Sequence, residues 1–332
     1  MKIFIEPYFR KIYEQYPLVL VDIGASGGFA PNWQPALKYL NVIGFEPDER
    51  EYHNLALKSG QRVRYLNAAL GRNQGLVDFY LTRKQQTSSV FKPHRAFLDQ
   101  FPEASRFDIV ETVKLKVDTL DHQCESQKIN NVDFIKMDCQ GSELAIMQGA
   151  SQMIKDQVIG IEVEVEYDQI YEGQPLFADV DVYLRTQGFY LFDLKNYFWK
   201  RTSGESLGSQ RGQLVAADAL YFRTVDSLAL LIDGLKSKED KRAKILKTLS
   251  VAALYGYYDY AAAVYVHLKD HFEGKEQNEI ELWLKQSKGF CYFLPSFRGR
   301  RMLSKIFYRI SEFFRVTHNG WAVMDRELGN RQ

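Results

Sequence analysis

Carboxylates stand at the ends of three apolar runs in the first half of the sequence. The first, Val21-Asp22-Ile23-Gly24-Ala25-Ser26-Gly27-Gly28, follows the run Leu18 to Ile23 directly. Glycines there allow a ligand close to the backbone, and an acid at a strand end can accept its hydrogen bonds. The spacing differs from the G-x-G-x-x-G loop that seats a pyrophosphate on helix N–H groups. Asp22 at the mouth would repel a pyrophosphate and attract, directly or through water, the ammonium of an amino-acid-bearing cofactor. S-adenosylmethionine is therefore favoured over a nicotinamide dinucleotide, and the plain alternative is a tight turn with no ligand.

The second run ends in Gly44-Phe45-Glu46-Pro47-Asp48. Glu46 follows the glycine loop by about twenty residues, the offset at which an acid takes both ribose hydroxyls of a nucleoside. The third, Asp133 to Glu143, puts Asp138 at the carboxyl end of a central strand, where open α/β sheets keep their ligand crevice. Asp138 is expected to face the cofactor's sulfonium or the acceptor, and Glu143 to cap or pair within the following helix.

A fourth stretch, Ile161-Glu162-Val163-Glu164-Val165-Glu166-Tyr167, sets three glutamates on one face of a strand and apolar residues on the other. Buried, such a face raises at least one pKa and makes a base or a set of divalent-metal ligands; exposed, it is a solvated surface. Glu164 is the expected catalytic base with Asp138 as its partner, while Glu166 and Tyr167 shape the acceptor pocket. His94, in the loop Ser88 to His94, is a candidate base or lid contact, although a lone loop histidine reads more simply as a bystander.

Strand-like runs alternate with helical stretches through the first two thirds, the pattern of βαβ units building a largely parallel sheet. The spacing predicts strands over Leu18 to Ile23, Asn41 to Glu46, Arg62 to Ala69, Val132 to Met137 and Val158 to Val165, with Leu76 to Leu81 and Val113 to Val117 as further candidates. Phe189 to Leu194 and Gln213 to Phe222 read as an antiparallel pair at the sheet edge, joined by a Ser- and Gly-rich loop. Helical spacing takes over from Val225, so the expected division is 1–224 and a helical C-terminal extension, 225–332. Within it, Phe290 to Arg315 interleaves arginines and lysine with phenylalanines. Such a basic amphipathic helix suits an anionic membrane surface or an assembly partner, and packing on the body is the expectation preferred here.

Composition narrows the function classes. The chain has 332 residues, with 43 Lys and Arg against 42 Asp and Glu, which removes the global electrostatic case for a nucleic-acid partner. Cys124, Cys139 and Cys291 have neither the number nor the spacing of a disulfide framework or zinc site. That usage suits a reducing compartment, and Met1 to Pro17 lacks the pattern of a signal peptide, so a cytoplasmic protein is expected.

Taken together, Asp22-Ile23-Gly24-Ala25-Ser26-Gly27-Gly28, Phe45-Glu46-Pro47, Ile135-Lys136-Met137-Asp138-Cys139-Gln140-Gly141-Ser142-Glu143 and Gly149-Ala150 resemble the FkbM family of S-adenosylmethionine-dependent methyltransferases. Order and spacing agree, and Asn67 to Gly71, Ser88-Ser89, Val117 to Leu120 and Gly188-Phe189 extend the likeness over residues 18–195. The resemblance implies a seven-stranded Rossmann-like methyltransferase sheet, S-adenosylmethionine as donor, and an oxygen acceptor on a sugar, surface glycan or secondary metabolite. Carried over by position, it puts Asp22, Gly24 and Ser26 at the methionine end of the cofactor, Glu46 at the ribose and Ala68 or Ala69 near the adenine, with Ala25 and Pro47 also in the cofactor site. Ser26 stands where the family usually has Asn, and Gln140 where its commoner form has Glu. The alternatives are a non-catalytic nucleoside-binding scaffold using its tail for partner contacts, and an NAD-dependent oxidoreductase, which the missing dinucleotide loop disfavours.

Overall fold

A computed structural model describes residues 7–26, 31–207, 211–286, 297–313, 320–325 and 328–329. Gly27, Gly28, Cys291, Phe314, Arg315 and the segment 290–296 lie outside the described residues. Eleven strands alternate with helices: β1 (Leu18–Ile23), β2 (Leu40–Phe45), β3 (Val63–Leu66), β4 (Ala69–Leu70), β5 (Gly75–Thr82), β6 (Ile109–Asp118), β7 (Phe134–Met137), β8 (Gly160–Glu166), β9 (Phe189–Trp199), β10 (Gln213–Arg223) and β11 (Ala322–Met324).

Eight of them form one sheet in the order β11-β9-β10-β8-β7-β1-β2-β3. The strands from β3 to β8 run parallel, and β10 enters antiparallel between β8 and β9. This is the expected Rossmann-like methyltransferase sheet with a short eighth strand on its edge. The chain turns outward in opposite directions from β1 and β7, so the crevice of an open α/β sheet falls at their carboxyl ends. Gly24, Glu46 and Asp138 each lie just past a strand there.

Three differences from the sequence expectation have physical reasons. Arg62 to Ala69 breaks into β3 and β4, and β4 leaves the main sheet to pair with β6, which with β5 makes a second, three-stranded sheet. The antiparallel β9–β10 pair does not hold the sheet edge, because β11, from beyond the helical tail, hydrogen-bonds along β9. The third concerns the basic helix, Arg300–Phe313, which does not pack on the body: its apolar side chains, such as Phe307 at 67% exposure, stand in solvent.

Strand alternation divides the core. Val21, Ile135, Met137, Ile161, Val163 and Val165 pack with Ile146, Met153, Val180 and Leu184 on one side. Leu20, Phe134, Leu220 and Phe222 meet Phe9, Tyr13, Trp33, Leu249, Tyr255 and Val264 on the other. The helices after β10 thus share a core with the sheet, and Thr224, where strand gives way to helix, caps Val225–Gly234 by accepting from Ser227 N–H at 3.0 Å. A buried ion cluster fastens them: the Lys244 and Lys247 Nζ atoms lie 2.6 and 2.8 Å from the two oxygens of Asp133, at the foot of β7. No helix among the described residues is long and apolar enough to cross a membrane.

Candidate functional site

At the strand tips, β1 and β7 touch through their backbones. Gly24 has φ of +74°, and a Cβ on it would sit 1.9 Å from the Asp138 carbonyl oxygen, so only glycine fits. Part of the glycine requirement therefore comes from strand packing rather than from a ligand. Beside this contact opens a cleft of about 860 Å³, its mouth included, bounded by Gly24, Ser26, Glu46, Pro47, Ala68, Ala69 and Asp138. The small sheet walls it through Leu70, Phe79 and Leu115.

Two expected cofactor residues lie elsewhere. Asp22 is 1% exposed and does not line the cleft; its carboxylate faces Lys136 Nζ at 3.4 Å. β1 and β7 pair Asp22 with Lys136 in register, so the cation expected from a ligand is already supplied by the neighbouring strand. Burial pushes the Asp22 carboxyl up, against the pull of Lys136. Ala25 packs into a small cluster with Leu55 and Tyr65.

Glu46 remains in the cleft wall. Its Oε1 accepts from Asp48 N–H at 2.9 Å, and Oε2 has no partner among the described residues. Burial pushes its carboxyl up to about 7; the Asp48 N–H opposes this, while the charges of Asp48, Glu51 and Asp138 add to it. Asn67 donates to the Glu46 carbonyl at 3.1 Å and steadies the strand end. The Ser26 hydroxyl is buried with no hydrogen-bond partner among the described residues.

Asp138 and Gln140 also border a second cleft of about 970 Å³, its open mouth included. Glu164, Glu166, Arg106, Tyr197, Trp199 and Met324 line it. The glutamates of β8 therefore divide. Glu162, lowest in the row, is buried, sits opposite Lys136, and accepts from the Tyr255 hydroxyl at 2.6 Å. It belongs to the core, whereas Glu164 and Glu166 rise above Tyr255 into the cleft. Burial raises the carboxyl pKa of both well above the usual range; Asp138 and Glu166 add to the effect at Glu164, Glu143 and Asp138 at Glu166. Among the described residues no group of His, Cys, Asp or Glu has the arrangement to hold a metal ion.

Gln140 joins the two clefts. Its Nε2 donates to Asp138 Oδ1 at 2.9 Å and to Glu164 Oε2 at 3.0 Å, while its Oε1 accepts from Tyr171 at 2.8 Å. The residue adopts φ of +54°, unusual for a side chain other than glycine, and Ser89 Oγ holds its carbonyl at 2.7 Å. Backbone strain here is repaid by an amide that orients two carboxylates. Gln140→Ala should slow turnover about 10- to 100-fold through lost orientation, a larger effect than the one on donor affinity. Gln140→Glu should instead move the acid limb of the pH–rate profile to higher pH, because a third carboxylate disfavours ionisation of Glu164. Steady-state kinetics across pH on both variants checks this.

Sequence reasoning passed over Arg106, Tyr197, Trp199 and Met324. Arg106 lies 5.1 Å from the Phe107 ring and 5.2 Å from that of Trp321, and its Nε is buried with no partner among the described residues. The Tyr197 hydroxyl is fixed by Asp218, which Lys195 also contacts at 3.2 Å. No periodic signal marks these residues, which meet only once the helical turn before β6 is assembled with β9 and β11. Glu143 accepts from Cys139 N–H at 2.5 Å, fixing the turn after β7. Tyr167 packs on Phe177 and lines neither cleft. His94 also lines neither; its N–H donates to the Ile170 carbonyl at 2.8 Å, anchoring a loop.

The geometry meets an independent finding. A family model described as the methyltransferase FkbM domain matches residues 22–191. Among solved structures, the chain is similar to a methyltransferase FkbM from Methylobacillus flagellatus, at 17% identity and a TM-score of 0.34, over 62% of this chain and 43% of that one. The chain thus spans less than half the length of that relative. It is similar also to magnesium protoporphyrin IX methyltransferase from Synechocystis, with SAM bound, at 11% identity and a TM-score of 0.32, over 65% and 76% of the two chains. A third is 1,6-didemethyltoxoflavin-N1-methyltransferase from Burkholderia thailandensis, at 12% identity and 0.29, over 66% and 78%. No curated protein matches the sequence. With half of its length matched by the family model, and with the sheet order and strand-tip residues described above, the chain belongs to the FkbM methyltransferase domain family.

Proposed function

We propose that the protein moves a methyl group from S-adenosylmethionine, bound in the first cleft, to a hydroxyl of a sugar, surface glycan or small metabolite held in the second. One observation supports this above the others: the two clefts meet at Asp138 and Gln140, with Glu164 directly across the junction. An in-line displacement needs the acceptor oxygen to reach the methyl carbon opposite the departing sulfur, so the two sites must open onto each other, and the border they have in common is where they would do so.

The residues of the first cleft suit the donor. Ser26 offers a buried hydroxyl that lacks a partner among the described residues, for the methionine end. Glu46 offers a carboxylate oxygen for the ribose, and Ala68, Ala69, Leu70 and Phe79 make an apolar slot for a flat base. When bound, the donor supplies an electrophilic methyl on a positively charged sulfur. Asp138 places negative charge beside that position, and the cleft walls hold donor and acceptor close and in line, which can account for most of the rate.

A sugar hydroxyl is a weak nucleophile at neutral pH, so a positioned base adds to the rate. Glu164 fills this role: it faces the second cleft, burial raises its carboxyl above the ordinary carboxylate range and so makes it a stronger proton acceptor once ionised, and Gln140 fixes its orientation. The second cleft suits a polyhydroxylated ring, with aromatic faces from Trp199, Tyr197 and Phe107 and hydrogen-bond acceptors from Glu164 and Glu166.

Donor affinity should fall as pH drops from 8 to about 6, since ribose hydroxyls donate to ionised Glu46, whose carboxyl titrates at about 7. Calorimetry should find that dependence flattened in Glu46→Gln. A screen of sugars, glycans and small hydroxyl compounds with methyl-labelled donor, with and without chelator, tests the activity. Labelled ether products that survive chelation are expected. Donor binding with no transfer to any acceptor would favour a nucleoside-binding scaffold.

A further inference from the structure

The helix Arg300–Phe313 presents an organised apolar face to solvent. Met302, Leu303, Ile306, Phe307 and Ile310 are 68%, 44%, 41%, 67% and 47% exposed. At helical spacing these five occupy roughly 140° of the circumference. Arg301, Lys305 and Arg309 stand on the remaining arc, with Glu312 as the helix's one acid. The whole chain has a formal charge of only +1, so this cluster is local rather than a reflection of overall basicity.

We propose that this helix lies on an anionic lipid bilayer, its apolar stripe sunk among the acyl chains and its basic arc against the headgroups. Two further observations select that partner. Burying the stripe against a second copy would bring two clusters of like charge together, whereas a negative surface neutralises them. No described helix, this one included, is long and apolar enough to cross a bilayer, so the fitting geometry is in the interface plane. The placement has a consequence for access. Only residues 314–321 separate the helix from β11, which lines the second cleft through Ala322, Val323 and Met324. A membrane-docked tail thus holds that cleft near the lipid surface, where acceptors carried on a lipid are found.

Docking is read without reference to catalysis, by sedimenting the full chain with vesicles of phosphatidylcholine alone or mixed with phosphatidylglycerol. The protein is expected to pellet with the anionic vesicles and to leave them at high salt. Each basic residue near such a surface contributes about fivefold to binding. The triple variant Arg301→Gln, Lys305→Gln, Arg309→Gln should therefore bind about 100-fold more weakly. Phe307→Asp should abolish binding, with both variants melting like the parent because these side chains are exposed. Failure to bind anionic vesicles, binding that ignores these substitutions, or a self-association abolished by Phe307→Asp in place of vesicle binding would overturn the proposal.

Discussion

Glu164→Gln is expected to lower the rate of methyl transfer by about 10²- to 10⁴-fold, the range a positioned general base contributes, while donor affinity changes little. Glu164 borders the second cleft and not the first, so the substitution leaves the donor walls intact. Gln preserves size and removes the ability to take a proton. Burial and the nearby Asp138 raise the parent carboxyl, so the parent rate should climb with pH above the ordinary carboxylate range. That limb should vanish in the variant. Single-turnover kinetics across pH measures both, and an unchanged rate would remove Glu164 from proton transfer. The same substitution at Glu162 is expected to act on stability, because that carboxylate is buried against Tyr255 and Lys136.

Asp133→Ala should destabilise the fold by about 3–5 kcal/mol, the usual cost of leaving buried charge without its partner. Asp133 is 0% exposed, and the side chains of Lys244 and Lys247 are 6% and 5% exposed. Burial alone would raise the Asp133 carboxyl, but the two lysines hold it below its ordinary value. Its contribution is therefore complete above the unfolded value of about 3.9 and is lost as pH falls through the lower folded value. Removing all three charges with Asp133→Leu, Lys244→Met and Lys247→Met should restore most of the stability. Urea unfolding at neutral pH separates these outcomes. Equal loss in the single and triple variants would assign the effect to packing rather than charge.

Local pattern and long-range register were unequally legible in the sequence. The alternation in Ile161 to Glu166 revealed one core face and one acidic face, because strand periodicity is a local property. It did not reveal that Glu162 leaves solvent while Glu164 and Glu166 reach a cleft, since Tyr255 arrives from 93 positions away. Asp22 read as a ligand group for the same reason. Its neutralisation depends on the β1–β7 register, which brings Lys136 across from it. Lys244 and Lys247 look in sequence like an ordinary solvated helix face, and only docking onto the foot of β7 makes them an ion cluster. Gln140 was visible as a departure from the family pattern, but its two carboxylate partners became evident only with the turn after β7 in place. β11 is three residues long, too short to leave a periodic signature.

The most direct test of the strand-tip crevice is calorimetric titration of S-adenosylmethionine into the parent protein and Glu46→Ala. The parent should bind one equivalent, and the variant should bind about 10- to 150-fold more weakly for loss of charge-assisted ribose hydrogen bonds. Binding of a nicotinamide dinucleotide with no heat from S-adenosylmethionine, or equal affinity in parent and variant, would contradict a donor site built on Glu46.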